Sequence, residues 1–311
     1  MPASFSPIFA PASPQTAAIS GLFILVLLIC ALILLIVAGM VGVGLFRFRH
    51  RPGMGEPRPH FGNRKLEIIW TAGPILIVIW LLALTAQGMR EADPPANREP
   101  DLVVIGHQWW WEIRYPGAGA DAANEIHIPV GRKCLVRLES ADVIHDFWVP
   151  ALARKMQMIP GQTNHIWLEA GSRGRFDGAC VEYCGTQHSW MRLSVVAEPS
   201  SAFEAWLGTQ NGSAALAAGD PVKNGMKLFQ AMTCVNCHSI RGVSSAGHSA
   251  PDLTHVRGRQ MLGGGVLLNN ETNLFRWLKN PQAFKPGCLM PDLKLTDAQV
   301  GDLAGYLETL Q

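Results

Sequence analysis

No lysine, arginine, aspartate or glutamate occurs between Met1 and Phe46. From Ile19 to Phe46 the chain is rich in Leu, Ile and Val. As a helix that stretch reaches roughly 42 Å, against a hydrocarbon core of about 30 Å. A second uncharged stretch, Ile68 to Ala86, reaches roughly 28 Å and contains Gly73 and Pro74. Proline is tolerated in a membrane helix where neighbours re-satisfy the freed carbonyl. A cleaved signal peptide needs a basic start and an apolar core of about 7–15 residues. Here no basic residue precedes the first stretch and the core is too long, so a membrane anchor is expected. Trimming within the first dozen residues stays open. The charged fraction of 16 % is low because of these stretches. Beyond residue 90 the chain is long enough for two soluble domains of about 100 residues each. A net charge of +2 excludes a strongly basic nucleic-acid binder and an acidic-tail protein.

The loop between the stretches holds Arg47, Arg49, Arg51, Arg58, Arg64 and Lys65 against the single acid Glu56. Arg90 and Arg98, beyond the second stretch, are mixed with Glu91, Asp93, Glu99 and Asp101. The positive-inside rule then places the loop in the cytoplasm, with both termini and everything after residue 90 outside.

Residues 101–198 read as short strands. The runs 101–105, 125–130, 134–138 and 165–168 are β-branched or alternating, and Gly, Pro and Asp clusters separate them. A β-sandwich or barrel is expected. Its chemistry sits in Cys180-x-Glu182-x-Cys184-Gly-x-x-His188-x-x-Met191, with His145 upstream. Two thiols, two imidazoles and a thioether make a soft ligand set. Residue types alone leave three readings open: copper, a structural Cys2His2 zinc site, or a Cys180–Cys184 disulfide. The thioether favours copper, because a weak Met ligand beside Cys and His marks copper electron-transfer sites.

A short helix around 203–207 leads into a linker rich in small residues, 211–220. Cys234-Val-Asn-Cys237-His238 follows, the attachment signature of c-type haem. A redox disulfide or half a zinc site is the alternative for a bare Cys-x-x-Cys. The helical lead-in Gly225-Met-Lys-Leu-Phe and the downstream Met290-Pro291 favour haem, with Met290 as sixth ligand. Met261, in a Gly-rich stretch read as a mobile loop, and His248 and His255, read as surface or propionate-side residues, are the alternative ligands. Cys30, Cys134 and Cys288 are expected to be free thiols.

The copper motif, the upstream Asp142-Val-Ile-His145, Glu67-x-x-Trp70-Thr71-x-x-Pro74, Gly106-His107-Gln108-Trp109-Trp110-Trp111 and Ile159-Pro160-Gly161 together resemble cytochrome c oxidase subunit II. That resemblance covers residues 19–198, and residues 221–311 resemble a class I cytochrome c. It implies a two-helix transmembrane hairpin (19–90) after an outer segment (1–18). A cupredoxin-like β-sandwich or barrel (91–199), a helix and linker (200–220) and an all-α cytochrome c domain (221–311) follow.

In the family Cys180 and Cys184 bridge the two ions of copper A, and His145 and His188 bind one each. Met191 and the carbonyl of Glu182 are weak ligands. The Glu182 side chain also serves a magnesium or manganese ion shared with subunit I. Trp109 is where electrons enter, and Glu67 lies at the mouth of a proton-uptake path; the plain alternatives are a core aromatic and a solvated helix end. Pro251 matches the proline that buttresses the haem histidine. The sequence departs from many relatives at Gln157, where an acid helps dock basic cytochrome c, and at Arg192, where proline is common.

The implied function is subunit II of a proton-pumping oxidase in the bacterial inner membrane. Electrons would pass from haem c to copper A and on to haem in subunit I, where oxygen is reduced. Subunits I and III, membrane lipid and cytochrome c or another periplasmic or membrane donor are the implied partners; nucleic acid is not. A linker of about 13 residues would give a tethered donor millimolar effective concentration. A copper-A-containing nitric oxide reductase complex and a non-enzymatic copper-assembly protein are the alternatives. A ubiquinol oxidase subunit is disfavoured, since that branch lacks the copper ligands.

Overall fold

The computed structural model describes residues 9–53, 55, 59, 61–94, 98–213, 219–245 and 247–311. Glu56 and Arg58 of the basic loop, residues 1–8 and the centre of the linker, 214–218, lie outside the described residues. The chain forms two compact units, one of residues 17–92 and one of the remainder.

The first unit holds two helices, α1 (Pro14–Arg47) and α2 (Arg64–Ala92). Both are long and apolar enough to cross a membrane, and their apolar windows are not buried by protein. α1 starts where Ser13 Oγ accepts the Thr16 N–H at 3.1 Å, with Pro14 in the first turn, where its missing N–H costs nothing. At α2, Asn63 Oδ1 accepts from Lys65 N–H (3.1 Å) and Leu66 N–H (3.4 Å). Pro74 lies inside α2 without ending it.

The second unit begins with residues 9–16, which lie along the β-domain. Ala12 N–H donates to the Ala151 carbonyl (2.8 Å), and Gly171 N–H to the Ala12 carbonyl (2.7 Å). The hydroxyls of Ser13 and Thr16 donate to the carbonyls of Leu152 and Ala151.

Ten strands build a two-sheet sandwich. They are β1 (Leu102–His107), β2 (Trp110–Tyr115), β3 (Ala120–Ala123), β4 (Glu125–Pro129), β5 (Cys134–Ser140), β6 (His145–Trp148), β7 (Met156–Met158), β8 (Asn164–Leu168), β9 (Gly174–Cys180) and β10 (Arg192–Glu198). One sheet runs β3-β2-β1-β5-β8, the other β4-β10-β9-β6-β7. The pairs β1/β5 and β4/β10 are parallel, and the others are antiparallel. Alternation explains the core. Phe176, Gly178 and Cys180 of β9 and Leu193, Val195 and Ala197 of β10 face inward, against Trp111, Ile113, Leu138 and Phe147. The expected strands at 101–105, 125–130, 134–138 and 165–168 all appear, shifted by a residue or two at their ends.

α3 (Ser200–Gln210) is longer than the expected helix and packs across the sandwich edge formed by β3 and β4. Phe203 is buried there, and Trp206 stacks on His127 with ring centroids 3.9 Å apart. His127 is held between Glu198 (2.9 Å) and Glu125 (3.2 Å).

The last domain comprises α4 (Asp220–Ala231), α5 (Cys234–Cys237), a two-residue ribbon of β11 (Met261–Leu262) and β12 (Leu267–Leu268), α6 (Glu271–Lys279) and α7 (Asp297–Leu307). A capping box of Thr296 and Gln299 starts α7. α4 crosses α7 at Gly225, where a Cβ would run into the Asp302 carbonyl and the Tyr306 side chain. Met261 opens the ribbon, so the stretch expected to be a mobile loop is instead hydrogen-bonded structure. The reason is local: Gly263, Gly264 and Gly265 all adopt positive φ, which closes the turn.

Candidate copper and haem sites

The copper motif is gathered by sheet pairing. Cys180 N–H donates to the Met191 carbonyl at 3.0 Å, which brings the two ends of the motif together. Between them Gly185 adopts φ +115° and His188–Trp190 form a 3-10 turn. Cys180 Sγ lies 3.7 Å from Cys184 Sγ and 3.8 Å from His145 Nδ1. Cys184 Sγ lies 3.6 Å from His188 Nδ1 and 3.8 Å from Met191 Sδ. The Glu182 carbonyl oxygen is 3.2 Å from Cys180 Sγ. All six expected donors therefore converge. All seven cysteines are free, which removes the disulfide reading. A closed tetrahedral zinc site would leave Met191 and the Glu182 carbonyl without a role, so the donor set fits copper better.

The two thiols are hydrogen-bonded to each other. The hydrogen bond from Cys184, followed by those to His145 and backbone amides, outweighs burial and holds the Cys180 thiol far below the ordinary range. The same bond, with burial, pushes Cys184 upward. Burial alone would lower His145, but its bonds to Cys180 and Asp142 win and raise it.

A supporting layer completes the site. Asp142 Oδ1 lies 2.8 Å from His145 Nε2, which turns Nδ1 toward the thiols. Burial works against the Asp142 charge, yet the Gln108 N–H, His145 and the Val143 N–H together hold its carboxyl below the usual value. Gly106 is needed beside it, because a Cβ there would lie 2.7 Å from the His145 ring. Gln108 Nε2–H and Trp109 Nε1–H both donate to the Cys184 carbonyl, at 2.8 and 3.0 Å.

The three tryptophans thus divide. Trp111 is a fully buried core residue set edge-on to Phe147. Trp110 stacks on His107. Trp109 is the one that hydrogen-bonds to the motif, at the Cys184 carbonyl, while Trp111 lies with its ring 6.1 Å from that of His145. Gln157, expected on a donor-docking face, lies with its Nε2 3.4 Å from the Glu182 carboxylate.

In the second site Cys234 and Cys237 flank α5, with His238 directly after it. Burial lowers His238, favouring the neutral ring, and Nδ1–H donates to the Pro251 carbonyl at 2.7 Å. That leaves the Nε2 lone pair for iron, and the residues fit a c-type haem. Gly247 packs so tightly on the backbone of Cys237 and His238 that no Cβ fits, a contact that sequence spacing does not reveal. Met290 is half-buried, and its carbonyl accepts from Gln282 Nε2 at 2.8 Å. His248 is exposed, as expected of a surface residue. His255 is not: it is buried, with Nδ1 2.7 Å from the Gln311 carbonyl and Nε2 3.2 Å from that of Gly212. Cys134 is buried and its thiol is pushed up to about 12 by burial, so it is inert.

Glu67 is exposed in the first turn of α2, and its N–H donates to the Asn63 carbonyl at 3.0 Å. An acid at that position also suits the helix dipole.

The two sites are not joined by a tether alone. Arg241 donates to the carbonyls of Gln210, Asn211, Gly212 and Gly119 and pairs with Asp121 at 3.7 Å. The first part of the expected flexible linker is therefore clamped to both domains. Gln187 Nε2–H donates to the Pro286 carbonyl, and Arg192 N–H to the Gly264 carbonyl at 3.2 Å.

Known proteins give the same domain order. Residues 6–86 match the family model described as the transmembrane domain of cytochrome c oxidase subunit II. Residues 120–198 match that of its periplasmic domain, and residues 222–311 match cytochrome c. Cytochrome c oxidase subunit 2 of Alkalihalophilus pseudofirmus is 33 % identical over 309 residues, covering 97 % of this chain and 90 % of that protein. The subunit 2 of Bacillus sp. PS3 is 32 % identical over 286 residues, covering 85 % and 80 %. Among solved structures, the periplasmic domain of subunit II of Bradyrhizobium japonicum cytochrome oxidase is 30 % identical. It covers 36 % of this chain and 95 % of that one, with a TM-score of 0.34.

Proposed function

Because the chain belongs to the cytochrome c oxidase subunit II family and carries a cytochrome c domain at its C-terminal end, we propose that it is the electron-accepting subunit of a proton-pumping oxidase. Copper A and a covalent haem c, when bound, supply two one-electron carriers of low reorganisation. The observation that carries the reading is the convergence of His145, Cys180, Glu182, Cys184, His188 and Met191 on one point of the sandwich.

The residues have distinct tasks. Cys234, Cys237, His238 and Met290 hold the haem, and Pro251 fixes the tautomer of His238. The six donors hold the copper pair, and Asp142 orients His145. Trp109 supplies a hydrogen-bonded route into the Cys184 backbone. The Glu182 carboxylate serves a magnesium or manganese ion at the boundary with subunit I. Glu67 stands at the cytoplasmic mouth of a proton path in subunit I. Residues 9–16 bond to the β-domain, which supports placing the N-terminus on the same, outer side as both redox domains. Subunits I and III are the partners, the bacterial plasma membrane is the location, and subunit I performs the oxygen chemistry.

Purification of the membrane complex tests the reading. Two coppers on this subunit, a covalent haem c band and cyanide-sensitive oxygen uptake are expected. Cys184→Ser should leave haem c reducible and abolish its oxidation by the rest of the complex. Turnover surviving that change would sink the copper relay, and nitric oxide uptake without oxygen uptake would reassign the complex.

A further inference from the structure

Lys285 is the most deeply buried lysine of the second unit, 5 % exposed. It lies in the haem domain, five residues before Met290, yet its Nζ donates to the carbonyl of Trp109 in the copper domain at 3.2 Å. Its backbone is fixed: Lys285 N–H donates to the Pro281 carbonyl (2.9 Å), and Cys288 N–H to the Lys285 carbonyl (3.1 Å). Around it three segments meet. A Cβ on Gly264 would lie 3.1 Å from Lys285 Nζ, 3.4 Å from the Trp190 carbonyl and 3.6 Å from the Trp109 carbonyl. A Cβ on Gly287 would lie 3.1 Å from Thr186 of the copper loop. Among the described residues no carboxylate pairs with Lys285.

A buried ammonium with one carbonyl partner is costly, and burial pushes its pKa down to about 8. Fully apolar packing would fill the same space at less cost. What the ammonium adds is a directional bond between the turn that leads to Met290 and the residue that leads to Cys184. It also adds a positive charge in a water-poor interface, where an electron arriving nearby is stabilised.

Resting on the copper and haem reading above, we propose that Lys285 is a positioning residue for electron transfer between the two domains. Its ammonium on the Trp109 carbonyl locks the Met290 turn against the copper loop, and its charge raises the electron affinity of the copper centre.

The test uses the full chain in its complex, comparing wild type with Lys285→Met and Lys285→Arg. Wild type is examined first, and lack of copper or of haem c would overturn the underlying reading together with this one. With both present, Lys285→Met should slow reduction of copper by photoreduced haem c about tenfold. It should also lower the copper midpoint potential, while Lys285→Arg restores the potential. In the metal-free chain, hydrogen exchange at the Arg192 amide should quicken in Lys285→Met, since that amide is bound to Gly264 across the same interface. An unchanged copper potential in Lys285→Met, or a failure of arginine to restore it, overturns the role of Lys285 alone.

Discussion

The indole Nε1–H of Trp109 donates to the main-chain carbonyl of Cys184 at 3.0 Å. The contact joins the aromatic segment to the main chain of Cys184, four covalent bonds from its sulfur. Trp109→Phe keeps the ring in its half-buried seat but removes the donor. Reduction of the copper centre, followed by flash photolysis, should slow by about tenfold while metal content stays at the wild-type level.

Asp142 holds His145 by one bond and is itself fixed by the backbone amides of Gln108 and Val143, each at 2.6 Å. Asp142→Ala leaves all six donors in place and frees the imidazole to turn. Copper affinity, measured by competition with a chelator, should fall by about 10- to 100-fold. Retention of wild-type affinity would show that sheet packing alone orients the ring.

Gly225 sits in the interior of α4, where alanine ordinarily gains up to about 1 kcal/mol over glycine. Here the sign should reverse, because the new methyl meets the Asp302 carbonyl and Tyr306 across the helix crossing. Gly225→Ala is expected to cost about 1–3 kcal/mol through overpacking. Thermal melting followed at the haem absorbance, with haem content as a second readout, checks it.

Glu112 supplies a pH dependence away from the copper ligands. Burial disfavours its charge, but the hydrogen bond from His107 and the contacts with Arg114 outweigh burial and depress its pKa below 4.5. A carboxyl depressed on folding stabilises the native state above its unfolded value and loses that contribution as pH falls through the folded one. Glu112→Gln should therefore lower the melting temperature of the β-domain at neutral pH. The gap from wild type should close as pH falls through the depressed folded-state value. A gap that persists at low pH would mean that packing, not charge, is responsible.

Much of the chemistry was legible because it is local in sequence. Cys180 to Met191 is one strand end and one loop, and Cys234 to His238 is one turn, so spacing alone exposed their ligands. His145 was legible as a second imidazole by residue type, but its place in the site was not, since β6 reaches the motif by pairing with β9. Asp142, Gln108 and Gly106 gave weaker signals, because each acts on a partner far along the chain. Lys285 gave none: nothing in its neighbourhood announces a carbonyl in another domain. The burial of His255 was hidden for the same reason, as the groups it meets, Gly212 and Gln311, are brought to it by chain folding. The ribbon at Met261 was hidden because glycine runs signal freedom in the unfolded chain and tight turns in the folded one.

The clamp of Arg241 and the bonds of Gly264 to Arg192, Lys285 to Trp109 and Pro286 to Gln187 make the haem domain a fixed component and not a substrate that must be met. Transfer between the two centres should then be first order. Dilution should not slow it, and salt, which screens the attraction between separate charged proteins over about 10 Å at 0.1 M, should leave its rate untouched. Only the preceding step, reduction of the haem from outside, should depend on concentration and ionic strength.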